Sequence, residues 1–212
     1  MHTRLVAGVI AAFAISSAVF SAEQQRQHFE VPAKDSGKAE ELANQLAGLS
    51  RRVDPNEAKL LAEFAYATVA RLRQEYQMFG TPIFNNFLIY HGLRKRGYCY
   101  QWSEDLLLAL DKLNLQSLDL RWGEYDPNTW RENNCIVVTA KGQPFSRGIM
   151  LECWRHLGHL YFGLVASDWE HYVENSAYAR RVRERAAGSK VSERNNPVAF
   201  QRSVVTKGKA GD

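Results

Sequence analysis

Up to Asn114 the apolar residues of this chain recur every three or four positions, and beyond it they recur every second one. That change of period, from near 3.6 to 2, predicts helices in the first half and strands in the second. A short helix is expected from Ala39 to Leu49. Asp54-Pro55-Asn56-Glu57 then supplies an N-cap, a proline at the first helical position and a glutamate at the third, so a long helix starts there. Its positions Leu61, Ala65, Thr68, Leu72, Tyr76 and Phe79 describe one buried face down to Gly80. Thr81-Pro82 restarts a helix through Phe84, Phe87, Leu88 and Leu93, and a third begins around Cys99 with Trp102, Leu106, Leu110 and Leu113 on one side. Strands are expected at Leu118 to Trp122, Cys135 to Ala140, Ile149 to Trp154 and His159 to Val165, followed by a helix capped by Asp168 that stops near Gly188. Helices first and hairpin-linked strands second mean an α+β fold, a helical N-terminal half packed on an antiparallel sheet.

The 212 residues are enough for one domain of ordinary core size, and the apolar content of 45% with 24% charged residues excludes wholesale disorder. The start reads as a secretory signal: His2 and Arg4, an uncharged run from Leu5 to Phe20, then small residues at Ser21 and Ala22. That run is shorter than the roughly 20 residues that cross a bilayer, so cleavage is expected and no transmembrane span after signal removal. The resulting organisation is a signal peptide at 1–22, a polar tether at 23–38, one α+β domain at 39–188 and a basic disordered tail at 189–212. Export points to a periplasmic or secreted location and removes nucleic acid as a partner despite the net charge of +4. The tail could instead bind an anionic envelope polymer, which would make the chain an envelope structural protein. The sequence has no glycine-rich phosphate loop and no paired CxxC, and neither a cofactor nor a metal is implied.

Three cysteines, Cys99, Cys135 and Cys153, leave at least one thiol over in an oxidising compartment unless it pairs between chains. Cys99 stands at an expected helix N-terminus just after Arg94, Lys95 and Arg96, two influences that favour a thiolate. The neighbouring N–H groups could also receive an oxyanion. A buried cysteine that only starts an apolar stripe would look the same.

The run Gly97-Tyr98-Cys99-Tyr100-Gln101-Trp102 at a helix start, followed by a strand with a polar beginning and a next strand carrying an acid, resembles the core of the transglutaminase-like cysteine hydrolases, relatives of the papain-type proteases. The resemblance covers about residues 92 to 155. It implies a nucleophile at Cys99, an acid at Glu152 in Met-Leu-Glu-Cys-Trp, and a histidine within Arg131-Glu132-Asn133-Asn134-Cys135, where this chain has Asn133 and Asn134. Asparagine takes no proton from a thiol near neutral pH. The resemblance therefore implies a catalytically degenerate member, unless His91, His156 or His159 supplies the base from a position that does not match.

If the turn 141–148 places Ala140 opposite Gly148, then Cys135 faces Cys153 and a cross-strand disulfide is possible. In that register Asn134 shares a face with Glu152 and Asn133 lies on the cysteine face, while a single bulge would exchange the two. Trp102, Trp130, Trp154 and His156 are candidate binding residues, with a helix-on-sheet core the favoured place for Trp102 and Trp122 and with Trp130 and Trp154 left open. His156 and His159 could chelate a metal with Glu152 or Cys153 only if a turn brought them together. Glu104-Asp105 is read as helix-start charge rather than a pair of catalytic acids, because adjacent helical positions point about 100° apart. The functional expectation is a periplasmic binding or accessory module for a peptide or amide-containing protein partner in the cell envelope, with an active thiol hydrolase or acyltransferase as the alternative.

Overall fold

A computed structural model describes residues 30–195, with side chains through 189. The expected signal, residues 23–29 of the expected tether and 196–212 of the expected tail lie outside the described residues. Among the described residues five α-helices and five strands follow in the order α1 (Ser36–Ala47), α2 (Pro55–Tyr76), α3 (Pro82–Tyr90), α4 (Cys99–Leu110), β1 (Leu118–Tyr125), β2 (Asn133–Ala140), β3 (Ile149–Glu152), β4 (Tyr161–Leu164), β5 (Val173–Glu174) and α5 (Ser176–Asn195). The sheet is antiparallel throughout, in the order β4-β3-β2-β1-β5, so the α+β expectation holds.

The helix starts follow the local chemistry. Asp54 accepts from the Asn56 N–H with Pro55 behind it, and Thr81 Oγ1 accepts from the Phe84 N–H with Pro82 next. α2 ends before Phe79 because Gln77 adopts a left-handed conformation (φ 51°), so its expected buried face stops at Tyr76 and Phe79 is exposed. Asp168 does not cap the last helix. Asn175 does, accepting from the Tyr178 N–H at 2.9 Å, and the helix runs past Gly188 to Asn195.

Every residue of β2 is buried, because the central strand is covered on both faces. On one face Ile136, Val138, Ile149, Leu151 and Trp122 meet α4 and, behind it, α2. On the other, Cys135, Val137 and Met150 pack with Val165 and Tyr172 in a second, smaller core.

The β2–β3 register differs by one residue from the expected one: Ile136 pairs with Leu151, not Glu152. A 3-10 turn at Phe145–Arg147 takes up the extra residue and leaves Gly148 outside the strand. One residue of slip exchanges faces. Cys153 thus joins the helix-side core and Cys135 the opposite one, and all three cysteines are free thiols, so of the two open readings the disulfide is not formed and the cysteines are buried and reduced.

Gly148 is required by space. A Cβ there would overlap Val137 Cγ1 and stand 2.9 Å from Thr139 Cγ2, both on the rigid central strand. Gly148→Ala is expected to lose about 1–3 kcal/mol of stability through overpacking, measured as a lower urea midpoint at unchanged slope.

Candidate functional site

Cys99 is the first residue of α4, after Tyr98 as an extended N-cap (φ −64°, ψ 154°). Gln101 turns back over this start, and its Oε1 accepts from the N–H groups of Gly97 (2.7 Å) and Tyr98 (3.1 Å). That leaves the sulfur pointing at the beginning of β2, where Asn134 Nδ2 donates to it at 3.4 Å. The thiol donates in turn to the Glu132 carbonyl at 3.3 Å.

The orientation of Asn134 is dictated by its partners. Its Oδ1 accepts from the Trp122 indole N–H at 3.0 Å, and an indole can only donate. The NH2 end must then face the other way, toward Cys99 Sγ and toward Glu132 Oε1 at 3.0 Å. Ser103 on α4 donates to the Asn134 carbonyl at 2.8 Å and ties the helix to the strand at the same level. Of the two asparagines, Asn134 is therefore the one that faces the thiol.

Burial pushes the Cys99 thiol up to about 12, against the lowering influence of the Asn134 hydrogen bond and with the Glu132 charge pushing the same way as burial. A group so placed is a thiol, not a thiolate, at neutral pH. The expected activation by the upstream cations is not realised. Arg94 donates to Asn85, while Arg96 pairs with Asp105 and donates to Tyr76. None of the three candidate histidines is a hydrogen-bond partner of the thiol: His91 packs on Phe87, His156 stacks on Tyr161 with ring centroids 4.5 Å apart, and His159 lines a cleft with Tyr66, Arg73 and Met78.

Glu152 and Asn133 belong to the opposite face of the sheet. There Arg155 is held between three acids, with its Nη2 2.9 Å from Asp168 Oδ2, its Nη1 3.2 Å from Glu170 Oε2 and its Nε 3.7 Å from Glu152 Oε2. Asn133 Nδ2 donates to Glu170 Oε2 (2.8 Å) and to the Tyr172 hydroxyl (2.9 Å), and Tyr172 donates to Glu170. Glu152 is fully buried; its Oε1 accepts from the Arg155 N–H at 2.8 Å, while its Oε2 has no hydrogen-bond partner. Burial raises the Glu152 carboxyl to about 7, opposed by the Arg155 N–H and guanidinium and by the Asn133 amide. Glu152 orients nothing at the thiol, unlike the acid that the resemblance implies.

The expected binding residues separate. Trp102 is core, 1% exposed and edge-on to Tyr76, and Trp154 is buried, so neither forms a binding face. Trp130 is 84% exposed in the β1–β2 loop, with the Arg131 guanidinium over its ring, two residues before the Glu132 that holds Cys99 and Asn134. Trp169, also exposed, lies across from Tyr125 with centroids 6.1 Å apart. His156 is half-exposed, its Nε2 3.9 Å from Glu152 Oε2. Among the described residues no three His, Cys, Asp or Glu side chains are grouped to hold a metal ion.

Sequence reasoning missed Glu132 and Trp122 as the partners that fix Asn134, and Arg155, Asp168, Glu170 and Tyr172 as one cluster. The alternate spacing of Asp168, Glu170 and Tyr172, that of an extended segment, is the one signal that could have found the cluster. No family model matches the chain, nor does any curated protein or solved structure.

Proposed function

We propose that this chain is an exported, transglutaminase-like protein that has lost its catalytic base and serves as a binding module for a peptide or other amide-containing partner in the cell envelope. The observation that carries this reading is the Cys99–Asn134 pair. A cysteine at a helix start faces the beginning of β2, where the resemblance implies the family's histidine, and here it meets an amide locked with its NH2 toward sulfur. An amide in that orientation donates to the sulfur and accepts nothing from it, so it cannot generate the nucleophile.

Support for binding comes from the same end of the sheet, where Tyr125 ends β1 opposite Asn133. Trp130, Arg131 and Trp169 are exposed there, and aromatic and arginine side chains are the residues that most often anchor protein partners. A peptide would engage this rim, with its amides against Tyr125 and the β1–β2 loop, and would not need the sealed sulfur.

Thiol reactivity tests the reading. Iodoacetamide at pH 7.5 is expected to label Cys99 at least about a hundredfold more slowly in the folded chain than in denaturant, because burial that pushes the thiol to about 12 removes almost all of its thiolate. Labelling faster than in the unfolded control would establish an activated thiol and restore the hydrolase alternative. In the same preparation, Cys99→Ala should leave peptide capture intact and Trp130→Ala should weaken it.

A further inference from the structure

α3 is built inside out. Its polar residue Asn85 is wholly buried, where it bonds both the N–H and the carbonyl of Phe79 and the carbonyl of Thr81, and accepts from Arg94. These bonds fix the segments before and after the helix to its inner side. The outer side carries Ile83 (66% exposed), Phe84, Phe87 and Tyr90 (81%), continued at either end by Phe79 (70%) and Leu93 (70%). The rings form a continuous strip, with Phe79–Phe84 and Phe84–Phe87 centroids each 6.4 Å apart and His91 4.3 Å from Phe87. Ordinary surface helices put such residues against the core.

Beside this strip Leu93, Arg94 and Lys95 share a cleft with Glu75 and Asp105, but those two acids are taken up by Arg71 and Arg96, so the charge left over is positive. Lys95 is exposed and Arg94 is bonded to Asn85 rather than to a carboxylate. No acidic residue occurs between Glu75 and Glu104. Exposed aromatic and aliphatic side chains flanked by cations that no carboxylate partners match the boundary between acyl chains and anionic headgroups. A protein groove would complement the apolar strip but gives no reason for the positive charge left over beside it. α3 has nine residues and carries its large apolar side chains on the exposed side, the geometry of a helix that lies in the interface plane, and among the described residues no helix is long and apolar enough to cross a membrane.

We propose that the Phe79–Leu93 segment docks the protein on an anionic lipid surface, with Ile83, Phe84, Phe87 and Tyr90 inserted among the acyl chains and Lys95 at the headgroups. This does not rest on the Cys99 site, and the two can fail separately.

The test uses the full chain with Tyr90→Trp as a reporter on α3 itself, read as the emission gained over the parent chain, which makes the readout independent of the apolar run Leu5 to Phe20. Vesicles of phosphatidylcholine with about a third phosphatidylglycerol should shift the reporter emission to the blue and allow quenching by brominated acyl chains, with binding at least about tenfold weaker to phosphatidylcholine alone. Phe84→Ser with Phe87→Ser should abolish the shift, and Lys95→Glu should weaken binding by about tenfold. All three side chains are exposed, so the far-ultraviolet spectrum and melting temperature should not change. A reporter emission that ignores anionic vesicles overturns the proposal. So does concentration-dependent self-association without lipid that is lost in the double serine variant, because it would assign the strip to a second copy of this chain.

Discussion

Arg155→Met is expected to lose about 3–5 kcal/mol at pH 7, the cost of removing one partner from a buried ion cluster. Arg155 is the cation that Glu152, Asp168 and Glu170 share, and its side chain is itself 13% exposed. Methionine fills similar space without charge and leaves three carboxyl groups, two of them ionised whatever the state of Glu152, facing each other in a region that also holds Cys135, Val137 and Met150. The loss should shrink as the pH falls, because the guanidinium is one of the influences that lower the Glu152 carboxyl, and without it that group takes up its proton more readily. Urea unfolding of both proteins at pH 5 and pH 7.5 measures the effect. Equal losses at the two pH values would mean that the cluster is solvated, contrary to its burial in the fold.

The cluster also explains how the second face of the sheet is closed. Asp168 holds Arg155 and accepts from the Glu170 N–H at 2.9 Å, and Glu170 and Tyr172 reach Asn133 at the start of β2. The segment between β4 and β5 is thus strapped across the sheet by polar contacts where few apolar residues are at hand. At Gly123 the packing under the strap is so close that a Cβ would stand 2.8 Å from Cys135 Sγ and 3.2 Å from Phe145. Loosening the strap would expose Cys135 and take away the Tyr172 ring on which Tyr125, at the rim, leans edge-on.

The helical half was legible because its signals are local. Proline and N-cap residues at 54–55 and 81–82 place two helix starts to the residue, and the 3.6 period marks Leu61, Ala65, Leu72, Trp102, Leu106 and Leu110 as buried. The outward face of α3 was not legible, since Phe84 and Phe87 have the same spacing whichever way the helix turns, and the inward anchor is a single asparagine. β5 has two residues and carries no period. The register of β2 against β3 depended on whether the 145–147 turn consumed one residue more, and that one residue decided both the disulfide and the face on which Glu152 lies. Asn134 and Cys99 were marked by sequence; the Trp122 indole that fixes the amide was not, because it lies twelve positions away and looked like any core tryptophan.

Glu152→Gln is expected to remove most of a pH dependence of stability between about pH 4.5 and 7, the ordinary and folded values of this carboxyl. The sign follows from which state holds the proton. A carboxyl raised in the folded protein is protonated there while the unfolded chain has already ionised, so the folded state binds more protons in this window and stability falls as the pH rises. Below the window both states are protonated and the contribution is constant; above it both are ionised and the full loss, on the order of 3 kcal/mol, has accumulated. Glutamine keeps the shape and the acceptor for the Arg155 N–H but has no proton to lose. The wild type should therefore weaken from pH 5 to pH 7.5 relative to Glu152→Gln, the two curves drawing together toward pH 5. Because every other titrating group is common to both proteins, the difference between the curves isolates Glu152. Parallel curves would show that Glu152 is ionised in the fold throughout, held by Arg155 although its Oε2 lacks a hydrogen bond, and one guanidinium would then be balancing three buried carboxylates rather than two.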